Sequence, residues 1–512
     1  MRQPRASGVL LHLTSLPGRH GSGDCGAAAY HVVDWLVTAG QPLWQILPLT
    51  GIGPGNSPYM SRSAFAGNEL LIDLDALGRE GWLTEDELAP APGVSDARIA
   101  FDAVVPYRIA RLRTAARRFA SGADAAAREA FDAYCHAQAD WLDDYALFMA
   151  LADAHGGADW REWPDGLADR DEAALRAARV LHADAVHVWR FCQWTFDRQW
   201  SALRHYANSR GVRIVGDTPI FVSGESADVW AHPELFELDA SRQPRVVAGV
   251  PPDFFSATGQ RWGNPLYRWP AHAADGYAWW IARVRRTFAL VDVVRIDHFR
   301  GFAAHWEIPA DEPTAVRGRW VPGPGAALFD RLVAALGEMP IIAEDLGVIT
   351  PDVHALRHDC GFPGMRILQF AFEGDAGNPF LPHNYEPDTV VYTGTHDNNT
   401  SAGWWAEASD RERAFARAYL GLDAGTGGAG DGARDGPEIP WVLIRAAWAS
   451  VADTAIAPMQ DVLALPGSAR MNFPGQGEGW WTWRFTWDQV RPDHAARLAE
   501  LGRLFSRSSP RG

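Results

Sequence analysis

Eight short runs rich in Val, Ile and Leu recur along the chain, each too brief for a helix and each without strict polar alternation. They are "GVLLHL" from Gly8, "PLWQILPL" from Pro42, "VRIVGDTPIFV" from Val212, "LVDVVRIDHF" from Leu290, "MPIIAEDLG" from Met339, "GMRILQFAF" from Gly364, "TVVYTGTHD" from Thr389 and "TAIAPMQDV" from Thr454. Such runs read as strands buried on both faces, the signature of a parallel sheet covered by helices. Amphipathic stretches such as "ALFDRLVAAL" from Ala327 and "IPWVLIRAAWAS" from Ile439 separate most of them. Strand and helix in alternation, joined by right-handed crossovers, give an α/β protein, and eight such units close into a (β/α)8 barrel.

Two intervals are too long for simple loops. Residues from about 50 to 210 carry Ala- and Arg-rich segments such as "RIARLRTAARRFA" and predict a mainly helical insertion. Residues from about 223 to 287 contain a Gly-, Pro- and aromatic-rich stretch, about 247–268, suited to an active-site lid. A third tract, "DAGTGGAGDGARDG" from Asp423, reads as an exposed loop. The expectation is a single catalytic barrel spanning 1–512 with these insertions.

The stretch "LVDVVRIDHFRG" ends an apolar strand abruptly in Arg295, Asp297, His298 and Arg300. An internally paired Arg–Asp bridge is one reading, and catalysis is the other. In a (β/α)8 barrel the active site lies at the C-terminal strand ends. Asp297, Glu344 with Asp345, and Asp397 beside His396 end three of the proposed strands, and Asp217 ends a fourth. Alone, "ED" fits a helix cap and "GD" a turn. Together they converge on one barrel mouth. Paired carboxyls suit retaining glycoside chemistry, in which one attacks ionised and the other gives a proton to the leaving oxygen. Arg295 lies two residues before Asp297, hence on the same strand face, where its cation favours an ionised Asp297.

Composition narrows the chemistry further. The chain of 512 residues carries a formal net charge of −16 and no basic cluster, so nucleic acid and anionic membranes are poor partners. No lysine occurs, which removes Schiff-base, pyridoxal and P-loop chemistry. The 24 tryptophans suit both core packing and stacking on sugar rings. Cys25, Cys135, Cys192 and Cys360 form no CxxC pair, so neither a disulfide framework nor a metal site is expected, and a cytoplasmic location follows. The N-terminal "MRQPRASGVLLHLTSLPG" reads as a first strand rather than a signal, and no apolar segment approaches bilayer-spanning length.

The motifs "GDTPIFV", "VVRIDHFRG", "AEDLG" and "TGTHDNNT" resemble the four conserved regions of the α-amylase superfamily, in the form used by 4-α-glucanotransferases (amylomaltases or disproportionating enzymes, glycoside hydrolase family 77). The likeness extends to "LLHLTSLPG", "SPYMSRSAFAGN", "SADVWAHPELF", "VAGVPPDFFSATGQRWGNPLYRW" and "RMNFPGQGEGWWTWR". It implies Asp297 as nucleophile, Glu344 as general acid/base and Asp397 as the carboxylate gripping sugar hydroxyls, with His396 sharing those contacts and Arg295 fixing Asp297. Asp217 and His298 would orient the reacting sugar or the nucleophile. Tyr59 would stack beneath that sugar, Ser57 would line the early glycone subsites, and Asp253, Gln260 and Trp262 would reach over the acceptor side from the lid. For Tyr59 and Trp262 ordinary aromatic packing is the competing reading.

Where this family usually has Gly-Asn-Trp near the C-terminus, the chain reads Gly479-Trp480-Trp481, which puts any polar role of that Asn in doubt; Glu69 is a second difference, away from the motifs. The resemblance implies transfer of an α-1,4-glucan segment to the 4-hydroxyl of another glucan or glucose, without cofactor or metal. An α-glucan hydrolase is the alternative within enzymes, and a non-catalytic glucan-binding protein the alternative outside them.

Overall fold

A computed structural model describes residues 5–90, 93–252, 256–422 and 438–508. Asp253, Phe254, Phe255 and the tract from Asp423 lie outside them. All eight expected strands form: β1 (Ala6–Leu10), β2 (Leu43–Gln45), β3 (Arg213–Pro219), β4 (Val293–Asp297), β5 (Ile341–Ala343), β6 (Gly364–Ile367), β7 (Thr389–Tyr392) and β8 (Thr454–Pro458). Each pairs parallel with its neighbour in the order β6, β7, β8, β1, β2, β3, β4, β5. The remaining seam, β5 to β6, carries no regular ladder. It is closed by the Ala343 amide donating to the Pro363 carbonyl at 2.9 Å and by the Met365 amide donating to Asp345 Oδ1 at 2.6 Å. Only glycine fits opposite that carboxylate, because a Cβ on Gly364 would lie 2.4 Å from Asp345 Oδ2.

The barrel wall explains how the chain tolerates charge at its mouth. In β4, Val293, Val294 and Ile296 are buried, and each such side chain contributes roughly 1.5–3 kcal/mol relative to exposure. That apolar burial offsets the desolvation of Arg295 on the same strand. Helices Ala27–Thr38, Ala183–Ser209, Ala278–Leu290, Ala326–Leu336, Pro351–Asp359 and Ile439–Ala449 fill crossovers between strands, as a parallel sheet requires. The crossover from β6 to β7 departs from this pattern. It has only 3-10 turns, Leu368–Phe372 and Pro382–Asn384.

Between β2 and β3 the described elements are helical, including Phe101–Gly122, Ala125–Ala137 and Ala139–Ala154. A four-stranded antiparallel sheet, not foreseen from the hydrophobic pattern, combines Val246–Val250, Gln260–Pro265, Ala304–Pro309 and Arg319–Pro322. Two of its strands come from the β3–β4 connection and two from the β4–β5 connection. It therefore stands beside the mouth on both sides of Asp297 in sequence. No described helix is long and apolar enough to cross a membrane.

Candidate active site

Strand register brings the candidate carboxylates together. In the β3–β4 ladder Asp217 lies directly across from Arg295 and Pro219 across from Asp297; in the β4–β5 ladder Ile296 faces Ala343, so Asp297 and Glu344 follow paired positions. Both carboxylate oxygens of Asp217 accept from Arg295 Nη1, at 2.8 and 2.7 Å. Nη2 of the same guanidinium pairs with Asp297 Oδ1 at 2.9 Å. Arg295 is thus shared, not devoted to Asp297. Burial opposes its charge, but Asp217 and Asp297 hold it firmly protonated.

Burial also acts on the carboxyls. It raises the Asp297 pKa to about 6, because desolvation and the Asp217 charge outweigh Arg295. Glu344 is pushed higher, to about 8, first by desolvation and then by the negative charge of Asp297. Near pH 7 the first is mainly ionised and the second mainly protonated. Glu344 is fixed by two backbone donors, His298 N–H to Oε2 at 2.7 Å and Leu346 N–H to Oε1 at 2.8 Å. The first of these needs a left-handed turn at His298, φ 54° and ψ 48°, immediately after β4. A non-glycine residue held there costs on the order of 1–3 kcal/mol, and such strain clusters at working sites.

The His298 ring faces the antiparallel sheet. It meets Trp262 edge-on, with centroids 4.7 Å apart, and burial drives its pKa down to about 3, so it is neutral. Trp262 and Gln260 sit on one antiparallel strand, where the Trp262 indole N–H donates to Gln260 Oε1 at 3.1 Å.

On the opposite side Tyr59 links two of the candidates. Its hydroxyl donates to Asp217 Oδ2 at 2.9 Å and lies 2.9 Å from His396 Nε2. With the phenolic proton committed to Asp217, Nε2 carries the His396 proton. Ser57 caps the short turn Pro58–Met60, its hydroxyl accepting from the Tyr59 amide at 3.2 Å, and so positions Tyr59. His396 also approaches Asp397 Oδ1, Nε2 lying 3.4 Å away.

Three residues absent from the sequence-derived set complete this side. Asn472 Nδ2 donates to Asp397 Oδ1 at 2.6 Å, and Arg470 Nη2 to the Asp397 carbonyl at 2.5 Å. Trp481 packs on Tyr59 and His396, centroids 5.7 and 5.8 Å away. All three lie in "RMNFPGQGEGWWTWR", a stretch noted for its likeness but not assigned to Asp397. Among the described residues no group of three or more His, Cys, Asp or Glu side chains is placed to hold a metal.

The family model described as 4-alpha-glucanotransferase matches residues 11–489. The chain belongs to the 4-α-glucanotransferase family. It is 50% identical over 509 residues to the 4-alpha-glucanotransferase of Thermus thermophilus, covering 99% of this chain and 100% of that one. The Synechocystis 4-alpha-glucanotransferase is 46% identical over 510 residues, covering 99% of both chains. In three dimensions the chain is similar to the amylomaltase from Streptococcus agalactiae in complex with acarbose, with a TM-score of 0.93, 38% identity and coverage of 99% of this chain and 100% of that one. Membership in this family accounts for the barrel and for the motifs at its strand ends.

Proposed function

We propose that the chain is a retaining 4-α-glucanotransferase that moves a segment of an α-1,4-glucan to the 4-hydroxyl of another glucan or of glucose. Two carboxyls on adjacent strand ends, Glu344 buried and Asp297 half-buried, held in different protonation states, carry this reading. Asp297 attacks the anomeric carbon while Glu344 gives its proton to the glycosidic oxygen, so the leaving glucan departs with a free 4-hydroxyl. In the second step the acceptor 4-hydroxyl gives its proton to Glu344 and attacks the same carbon, releasing Asp297. Retention follows from two inversions.

Arg295 and Asp217 form the buried frame that orients Asp297. Asp397, His396 and Tyr59 are assigned to the hydroxyls of the reacting sugar, with Ser57 on the glycone side and His298 beneath the lid. Asp253, Gln260 and Trp262 are assigned to the acceptor side. The insertion at about 50–210 supports the barrel, and that at about 223–287 carries the lid. Widely spaced cysteines suit a reducing cytoplasmic setting.

Transfer requires excluding productive water at about 55 M, an effect worth several kcal/mol in oriented reactions. Incubation with maltotriose alone therefore yields a ladder of longer maltodextrins plus glucose or maltose, with reducing ends nearly constant. Reducing ends that rise in step with substrate loss would assign a hydrolase, and unchanged maltotriose a binding protein.

A further inference from the structure

The one barrel seam without a ladder, β5 to β6, runs beside Glu344. On the β4 side the Glu344 backbone is fixed in the ordinary way, its amide donating to the Ile296 carbonyl at 3.0 Å and its carbonyl accepting from the Phe299 amide at 3.1 Å. On the β6 side the next residue takes over. Glu344 turns its carboxyl to the His298 amide, whereas Asp345 turns toward β6 and helix Pro351–Asp359, its side chain only 1% exposed. Asp345 Oδ1 accepts from the Met365 amide at 2.6 Å, standing in for a ladder bond. Oδ2 faces Arg357 Nε at 3.4 Å and Arg366 Nη1 at 3.7 Å. Gly364, lacking a Cβ, leaves room for this approach.

A buried carboxylate is a poor device for closing a wall. Desolvation of an enclosed ion pair consumes most of its attraction, and well-packed apolar residues often serve stability better. Here Asp345 Oδ2 and Arg357 Nε face each other without a hydrogen bond, which weakens the pair further. The carboxylate gains its purpose from its neighbour. The amide that donates to Glu344 Oε1 at 2.8 Å belongs to Leu346, hence to the peptide unit that begins at Asp345. Because that unit is planar, anchoring Asp345 directs its N–H. The other oxygen, Oε2, is held by the His298 amide, which follows β4. Glu344 is therefore clamped between two amides, one positioned by β4 and the other by the tie from Asp345 to β6.

We propose that Asp345 is a positioning residue for the acid/base: its carboxylate ties the Asp345–Leu346 peptide to β6, so that the peptide N–H aims the Glu344 carboxyl at the glycosidic oxygen. The proposal rests on the reading in which Glu344 protonates the leaving group. The test compares maltotetraose with α-maltotriosyl fluoride, which present the same three-sugar glycone with glucose or fluoride as leaving group. Initial release of glucose or fluoride gives kcat/KM for the first step. Fluoride departs with little protonation, so a misaimed acid matters mainly for the glucose leaving group. Asp345→Ala lowers kcat/KM for maltotetraose on the order of 100-fold and for the fluoride less than about fivefold, the donor selectivity of Glu344→Gln. Added to Glu344→Gln, it costs almost nothing more with maltotetraose, because the two residues act as one unit. Asp345→Asn, which keeps an oxygen for the Met365 amide and loses the charge, falls between, and is the variant read if Asp345→Ala does not fold. Equal losses with both donors mean that Asp345 only closes the wall, or acts on Arg295, whose Nε lies 3.4 Å from Met365 Sδ; no loss means that the tie is dispensable; either overturns the proposal. Failure of the underlying reading shows separately, as equal losses with both donors in Glu344→Gln alone.

Discussion

Replacing Glu344 by Gln should make the protein more stable in alkali and less stable in acid. Glu344 is only 9% exposed, and its pKa rises from 4.5 to about 8 on folding. A raised carboxyl binds its proton more tightly when folded, so its stabilisation is complete below about pH 4.5 and is lost as pH rises through 8. At about 1.4 kcal/mol per pH unit the loss above pH 8 is on the order of 5 kcal/mol, an upper bound for a group coupled to Asp297. Gln cannot ionise and avoids it. Gln also has one acceptor oxygen for the two N–H groups of His298 and Leu346, and the orphaned donor costs about 1–3 kcal/mol at every pH. The balance favours wild type near pH 5 by roughly 1–3 kcal/mol and the variant above pH 8.5 by a similar amount. Thermal unfolding of both proteins from pH 5 to 9 should therefore give curves that cross. Parallel curves would show that folding does not raise the Glu344 pKa, and the protonation argument would fail.

The profile of kcat/KM should be bell-shaped, rising through about pH 6 as Asp297 ionises and falling through about pH 8 as Glu344 loses its proton. In Asp217→Asn the acid limb should move to lower pH, because the Asp217 charge raises Asp297 and its removal frees Arg295 for Asp297; an acid limb that moves up would contradict the shared-guanidinium picture. Asn472→Asp sets a like charge where Asn472 now donates to Asp397 at 2.6 Å; kcat should fall roughly 100-fold through misplacement of Asp397, with little change in unfolding temperature. Trp262→Ala should raise the ratio of hydrolysis to transfer, measured as free reducing ends per linkage broken, without abolishing cleavage.

The barrel was legible because its strands are buried on both faces and therefore lack polar alternation, which leaves runs such as "VVRI" and "PIIA" plain in the sequence. The carboxylates were legible for the complementary reason: Asp297, Glu344 and Asp397 interrupt those runs at their ends. What sequence does not carry is register. That Arg295 lies across from Asp217, and so divides its guanidinium, depends on the β3–β4 ladder. Asn472 and Trp481 act on Asp397, His396 and Tyr59 across long separations, with no local periodicity to reveal them. The left-handed turn at His298 was invisible for a related reason: histidine is enriched at positive φ but adopts it in few positions, so the residue type does not mark the turn, and its contact with Glu344 explains it. The antiparallel sheet beside the mouth was missed because Ala304–Pro309 and Arg319–Pro322 are short, partly exposed strands whose pairing spans two connections.

Asp297 as the nucleophile that forms the covalent glycosyl-enzyme is the assignment on which the retaining mechanism depends. Glu344→Gln with a glycosyl fluoride supplies a leaving group that needs little protonation, while the second step, which needs base help, is slowed. Peptide mass spectrometry should then find a glycosyl adduct on the peptide containing Asp297, at that carboxyl. No adduct under turnover conditions, or an adduct on Asp217, Asp397 or another acid, would contradict double displacement through Asp297.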